Sequence, residues 1–80
     1  MNNLINAKIG NFLECTRLYP QSKKYTIGNQ YEIIRIDMIY VYHKHEEQPH
    51  IVIRDDKNKL TRINQISGIS YTDFNLKCIL

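Results

Sequence analysis

Three histidines lie close together in this chain, and their imidazoles are its clearest candidates for chemistry. His43 and His45 are two residues apart, and His50 follows five residues later. We expect His43 and His45 to project from the same face of a strand, with His50 as a candidate neighbour across the turn from His45. Imidazoles arranged in this way could bind zinc, with Glu46 or Glu47 as a further ligand. A solvated hairpin end rich in polar side chains explains the same residues without a metal. We therefore expect neither a metal nor another cofactor.

Other patterns that support catalysis are sparse. Asp55 and Asp56 are adjacent carboxylates, but their setting is that of a turn. The three glycines are too dispersed to form a phosphate-binding loop, and no Ser/His/Asp or Cys/His grouping has a recognisable context. We expect a protein without enzymatic activity.

Composition predicts one small domain built mainly of sheet. A chain of 80 residues buries only about 60% of its unfolded surface, which favours a packed core with function on the outer surface. Thirteen isoleucines and six tyrosines against one alanine favour strands. The net charge of +3 is compatible with nucleic acid or an acidic protein as partner. No apolar run or signal segment indicates a membrane, so we expect a cytoplasmic protein.

Apolar alternation and turn residues divide the chain into short elements. We expect residues 1–10 to form an arm or a short helical turn, and residues 11–80 to form one β-domain. The expected strands cover 11–18, 31–45, 50–54, 60–64 and 75–80. Residues 31–45 are expected to form either one strongly bent strand or two strands broken by a bulge near Asp37. Turns are expected at 46–49 and 55–59, and a helical turn at 71–74, just before the last strand.

A first strand that ends near a cysteine, a loop, and then the core T-I-G-N-Q-Y-E-I, from Thr26 to Ile33, resemble small SH3-like β-barrel proteins. Many of these proteins are encoded by bacteria and tailed phages. The turn D-D-K-N at 55–58 and the segment Y-T-D-F at 71–74 match later parts of that pattern. The resemblance covers roughly residues 12–80. It implies a small antiparallel SH3-like barrel of five to six strands with a short helical turn before the last strand.

The resemblance also implies a function, that of a phage-type accessory protein. Such a protein binds a host protein, for example a defence or transcription factor, in the host cytoplasm and modulates or inhibits it. This chain departs from the usual pattern at 38–49 and 65–70, and insertions on a minimal scaffold are where a partner would be contacted. The partner-binding residues expected from these departures are Tyr40, Tyr42, His43, His45, His50 and Tyr71.

Two further expectations follow from the resemblance. Cys15 and Cys78 fall on the first and last strands, which are neighbours in many SH3-like barrels, so a disulfide is an alternative to two free thiols. In a reducing compartment we expect free thiols. Tyr19, Tyr25 and Tyr71 occupy regions that form a polyproline groove in peptide-binding SH3 domains. The chain has no tryptophan, however, and structural tyrosines are the expected interpretation.

The alternative function is nucleic-acid binding by the same barrel. Basic side chains on one face, with Tyr40 or Tyr42 stacking on bases, would provide the surface. The candidate residues are Lys23, Lys24, Arg35, Arg54 and Arg62. Pairing between two copies through an exposed edge strand is also left open.

Overall fold

The computed structural model describes residues 4–69 and 71–77 of the chain. This part of the protein is mainly β, with six strands in two three-stranded antiparallel sheets. The strands are β1 (Phe12–Arg17), β2 (Gln30–Glu32), β3 (Arg35–Val41), β4 (Glu46–Arg54), β5 (Leu60–Asn64) and β6 (Asp73–Lys77). Two single 3-10 turns, Leu4–Asn6 and Tyr42–Lys44, are the helical elements of the described residues. The expected β class and antiparallel pairing are confirmed.

β1 is the central strand of the first sheet, with β2 on one side and β6 on the other. Leu13 and Cys15 are completely buried, whereas Phe12 and Glu14 are half-buried. Because successive side chains of a strand point to opposite faces, this alternation places one face of β1 on the core. The ladder with β6 shifts register after Cys15 in a β-bulge. The first and last strands are therefore neighbours, as expected.

β4 is the central strand of the second sheet, between β3 and β5. Ile51 lies opposite Ile36 on one neighbour and Ile63 on the other, so three isoleucines form a row across the sheet. Both Ile51 and Ile63 are completely buried. This row is the contribution of the second sheet to the core, and Ile53 extends it.

Side chains of both sheets meet in a single apolar cluster. Its buried members are Leu4, Ala7, Leu13, Cys15, Tyr25, Tyr31, Ile33, Ile51, Ile53, Ile63 and Phe74. Full burial of one isoleucine or leucine side chain stabilises the folded state by roughly 1.5–3 kcal/mol. This shared interior holds the two sheets together. Every strand except β3 contributes a buried residue to it, and β3 contributes the partly buried Ile36.

The chain passes from the first sheet to the second between Ile33 and Ile34. Ile33 donates its N–H to the Asn11 carbonyl (2.9 Å), and Ile34 donates to the Val52 carbonyl (2.9 Å). The break expected near Asp37 is therefore wrong, and it lies four residues earlier. The physical reason is that Ile33 is needed in the core and bonds towards β1, whereas Ile34 already bonds to β4.

The segment before β1 is fixed by a buried glutamine. Leu4–Asn6 forms a 3-10 turn, one of the two forms expected for residues 1–10, and Leu4 and Ala7 are buried. Gln65 donates its side-chain amide to the carbonyl oxygens of Leu4 (2.8 Å), Ile5 (3.1 Å) and Ala7 (3.2 Å). These bonds add to the hydrogen bond within the turn, in which the Leu4 carbonyl accepts the Ala7 N–H at 2.9 Å, and tie the turn to the end of β5.

The helical turn expected at 71–74 is wrong. Ile69 and Thr72 form an isolated bridge, and the Thr72 N–H bonds to the Ile69 carbonyl at 3.3 Å. Tyr71 has a φ of 58°, in the left-handed region, and β6 already begins at Asp73. The segment is thus a tight turn that leads directly into the strand. Hydrogen bonds to β1 extend Asp73 and Phe74 and exclude a helical conformation.

Cys15 is buried, and its thiol lies 3.7 Å from the Arg17 carbonyl. Burial raises the pKa of this thiol above its ordinary value. The alternative of a disulfide between Cys15 and Cys78 involves a residue outside the described part of the chain. No helix among the described residues combines the length and apolarity needed to cross a bilayer.

Candidate functional site

The hairpin formed by β3 and β4 extends beyond the core. On the face that carries Ile36 and Ile51, the next pair outward is Met38 opposite Pro49, and the following pair is Tyr40 opposite Glu47. In the described part of the chain, Ile36 is the last residue of β3 that packs against the core cluster, and Met38 and Tyr40 beyond it are exposed. The sequence therefore continues an apolar face past the point where the core covers it.

Three large side chains on this face are exposed. The exposed fraction is 58% for Met38, 45% for Tyr40 and 81% for Tyr42. The rings of Tyr40 and Tyr42 meet edge to face, with 5.0 Å between centroids and 73° between planes. Such aromatic pairs favour a fixed relative orientation. We call Met38, Tyr40, Tyr42 and Pro49 the hairpin surface.

The turn of this hairpin lies earlier than expected. Tyr42–Lys44 forms a 3-10 turn, which closes with the His45 N–H bonded to the Tyr42 carbonyl at 3.2 Å. His45 takes the left-handed conformation (φ 55°), and β4 begins at Glu46. The expectation that 46–49 forms the turn is therefore wrong.

Pro49 is compatible with its place inside β4. Its carbonyl accepts a hydrogen bond from the Gln65 N–H (2.9 Å). Within one strand residue, the amide nitrogen and the carbonyl point towards the same neighbouring strand. The missing proline N–H therefore faces the side where β5 has already ended, at Asn64. The ladder between β3 and β4 loses nothing.

The structure does not bring the three histidines together. His43 and His45 are exposed in the turn and do not share a strand face, which corrects that expectation. His50 lies opposite Asp37 in mid-strand, about 16 Å along β4 from His45 at the strand rise per residue. Its Nδ1 lies 2.9 Å from the Gln48 carbonyl. Among the described residues, no three His, Cys, Asp or Glu side chains are grouped to hold a metal ion.

A second candidate surface lies at the other end of β4, in the turn to β5. The Asp55 carboxylate accepts the N–H groups of Lys57 and Lys59, each at 2.9 Å, and is itself buried. Asn58 has a φ of 63° and closes the turn with its N–H on the Asp55 carbonyl. These bonds form a rigid turn with its lysine side chains directed into solvent.

Asp56 fastens a neighbouring loop to this turn. Its carboxylate accepts hydrogen bonds from the Tyr31 hydroxyl (2.6 Å) and the Thr26 hydroxyl (2.6 Å), and its N–H bonds to the Lys24 carbonyl (2.8 Å). The Tyr31 hydroxyl also accepts the Thr26 N–H at 2.8 Å. Burial, and then the bond to Asp56, raises the pKa of Tyr31. The backbone of Lys24, which follows Lys23, is thereby held against the turn that carries Lys57 and Lys59.

Three of the expected nucleic-acid-binding arginines share the outer face of the second sheet. Arg35 and Arg62 lie on either side of Val52, and Arg54 is two residues further along β4. The Arg35 Nε lies 3.0 Å and the Arg62 Nε 3.6 Å from the Asp37 carboxylate. The hydrogen bond from Arg35 is the main cause that lowers the pKa of Asp37. This face is basic, but one carboxylate occupies two of its cations.

A cleft of about 440 Å³ opens beside β5. Tyr19, Tyr25 and Leu60 provide its apolar and aromatic lining, and Lys24 and Arg62 provide its charges. Tyr19 also contacts the ring of Tyr71, with centroids 5.9 Å apart. None of the described residues that line the cleft is acidic. We call it the tyrosine cleft.

The expected partner-binding residues thus divide between separate surfaces. Tyr40, Tyr42, His43 and His45 lie together at the β3–β4 hairpin end. His50 lies on the face of β4 opposite to the one that carries Pro49, and Tyr71 contacts Tyr19 at the tyrosine cleft. Sequence reasoning missed Met38, although its spacing of two residues from Tyr40 was a usable signal.

Tyrosines 40 and 42 are not the aromatic side chains nearest the expected cations. The β4 strand separates the hairpin end from the basic turn by about 26 Å at the usual strand rise. The aromatic neighbours of Lys24 are Tyr19 and Tyr25.

In comparisons with known proteins, no family model, curated protein or solved structure matches this chain.

Proposed function

We propose that the protein is a non-enzymatic binding module that docks on another protein through its hairpin surface. The observation that carries this proposal is the exposure of Met38, Tyr40 and Tyr42 on one face that continues the core. Tyrosine and methionine are enriched where protein interfaces are most buried, and clustered aromatic anchors supply most of the binding energy.

The proposed scaffold is an SH3-like barrel. Its support is the connectivity: one segment, residues 30–41, contributes β2 to the first sheet and β3 to the second. The first and last strands pair, and β3, β4 and β5 follow one another as a meander. A shared interior between the sheets agrees with such a barrel.

The proposed contact has an aromatic centre and a polar rim. Tyr40 and Tyr42 serve as anchors, and His43 and His45 lie beside them in the turn. Glu46 and Glu47 begin the returning strand and are exposed at the same end. On the basis of the sequence resemblance, the first class of partner to test is a protein of a bacterium that a phage infects, such as a defence or transcription factor. Modulation or inhibition of that partner is part of the proposal.

The test is partner capture with the Tyr40→Ser/Tyr42→Ser double variant. Loss of one buried aromatic anchor usually costs at least about 2 kcal/mol, which weakens binding roughly 30-fold. We expect the double variant to lose the partner that the unchanged protein retains, with both proteins showing the same circular dichroism and thermal midpoint. Both tyrosines are exposed, so their removal leaves the core intact.

Ile27→Ser is the matched control. Ile27 is an exposed apolar residue (59%) outside the hairpin, so its replacement also removes exposed apolar surface. The control should retain the partner. Equal loss of binding in both variants, or capture that disappears on nuclease treatment, would contradict docking through the hairpin surface.

A further inference from the structure

The end of the molecule opposite the hairpin surface concentrates positive charge. Its cations are Lys23, Lys24, Arg54, Lys57 and Lys59, and we call this group the basic end. The two carboxylates there, Asp55 and Asp56, are engaged in the hydrogen bonds that build the turn. In residues 4–69 and 71–77, no carboxylate lies within ion-pair distance of these five cations. The charge is therefore available to an anionic ligand.

The tyrosine cleft adjoins this charge. Lys24 belongs to both the basic end and the cleft wall, and its backbone is bonded to Asp56 of the β4–β5 turn. Tyr19 is 43% exposed at the cleft and contacts the Tyr71 ring. Leu60 adds an exposed apolar surface to the cleft wall. Charge and planar aromatic surface thus occur side by side.

We propose that the tyrosine cleft and the basic end bind single-stranded nucleic acid, a second activity on a surface separate from the hairpin. A single strand needs cations that follow its phosphates and aromatic rings on which its unpaired bases stack. Here Lys24, Lys57 and Lys59 contact phosphates, and Tyr19 receives a base. Duplex DNA hides its base faces, and so it uses only the charges.

This assignment differs from the expected one in its aromatic residues. Tyr40 and Tyr42 are about 26 Å away along β4, beyond the reach of a base whose phosphate is held at Lys57. Arg35 and Arg62 contribute less than the cations of the basic end, because Asp37 already holds Arg35 and lies 3.6 Å from Arg62. The separation of the two surfaces allows a protein and a nucleic acid to be bound together.

The test is fluorescence anisotropy with labelled 12-nucleotide single strands, one of thymidine DNA and one of uridine RNA. We expect a dissociation constant below about 100 µM at 50 mM salt for at least one of them. With about three phosphate contacts, binding should weaken roughly 20-fold between 50 and 200 mM salt. No binding at 50 mM salt would overturn the proposal.

Three variants locate the contact. Lys24→Gln should reduce, by about 0.7, the magnitude of the slope of the logarithm of the binding constant against the logarithm of the salt concentration. Tyr19→Ala should weaken binding at least about five-fold with unchanged salt dependence, and Tyr19→Phe should restore it. Lys44→Gln, an exposed lysine at the hairpin end, is the control for charge and should bind normally.

Further outcomes would overturn the proposal. An effect of Lys44→Gln equal to that of Lys24→Gln would indicate diffuse attraction without a site. A second such outcome combines two results. The protein would bind a labelled polyglutamate peptide, or duplex DNA of the same length, as tightly as the single strand, and Tyr19→Ala would have no effect. Together these results would show a general preference for polyanions.

Discussion

Removal of the Tyr31 hydroxyl group, in Tyr31→Phe, should destabilise the protein by about 2 kcal/mol. The Tyr31 hydroxyl donates to Asp56 at 2.6 Å and accepts the Thr26 N–H at 2.8 Å. A hydrogen bond to a charged group contributes roughly 1.5–3 kcal/mol. Asp56 and Thr26 are exposed, so water partly replaces the lost bonds and the expected cost lies towards the lower end of this range.

This cost is large for a domain of 80 residues, whose total stability is of the order of 4–12 kcal/mol. A loss of about 2 kcal/mol lowers the thermal midpoint of a domain this size by roughly 8–16 °C. Urea unfolding followed by circular dichroism measures the free energy directly. Tyr42→Phe is the matched control, since its ring is 81% exposed, and it should change stability by less than about 0.5 kcal/mol.

A double-mutant cycle makes this reasoning refutable. If Tyr31 acts through Asp56, the variants Tyr31→Phe and Asp56→Asn should show an interaction energy of about 1 kcal/mol. Additive effects within about 0.3 kcal/mol would show that the hydroxyl and the carboxylate act independently. The account of how the Thr26 loop is fastened to the β4–β5 turn would then be wrong.

Two further predictions concern Gln65 and alkaline pH. Gln65→Ala should remove the side-chain amide that bonds to the carbonyls of Leu4, Ile5 and Ala7, lower stability by roughly 1–3 kcal/mol and accelerate amide hydrogen exchange at Ala7, whose N–H bonds to the Leu4 carbonyl. Burial raises the pKa of Cys15, Tyr25 and Tyr31, so the unfolded chain loses these protons at lower pH than the folded one. The contribution of these three groups to stability should therefore be fully present at pH 7 and be lost as the pH rises above the ordinary values of 9.0 for the thiol and 10.0 for the tyrosines, as urea unfolding at pH 7, 9.5 and 10.5 would show.

Part of the fold could be predicted from local pattern alone. Alternation of Leu13 and Cys15 with polar neighbours places β1, and the Asx-rich segment 55–59 places the turn between β4 and β5. In both cases local chemistry decides the conformation: apolar and polar residues alternate along a half-buried strand, and Asx side chains bond to their own backbone in a turn. The break between β2 and β3 was harder, because Ile33 and Ile34 are equally apolar and only their tertiary hydrogen bonds distinguish them.

The candidate surfaces were predictable only in part. The spacing of Tyr40 and Tyr42 indicates an aromatic end of the hairpin, but the local sequence does not show that 46–49 belongs to β4. A proline fits inside that strand only because β5 ends before it, which depends on long-range register. Similarly, Tyr19 and Lys24 come together with Leu60 and Arg62 only through the packing of a loop against an edge strand.

The most direct test of the proposed function is site-specific photo-cross-linking in the cells where the protein naturally acts. A photoreactive phenylalanine analogue is placed at Tyr42, with the same analogue at Ile27 as the control position. We expect position 42 to yield one discrete cross-linked partner protein that position 27 does not yield. Cross-links from position 42 only to a second copy of this chain, or equal products from both positions, would contradict recognition of another protein by the hairpin surface.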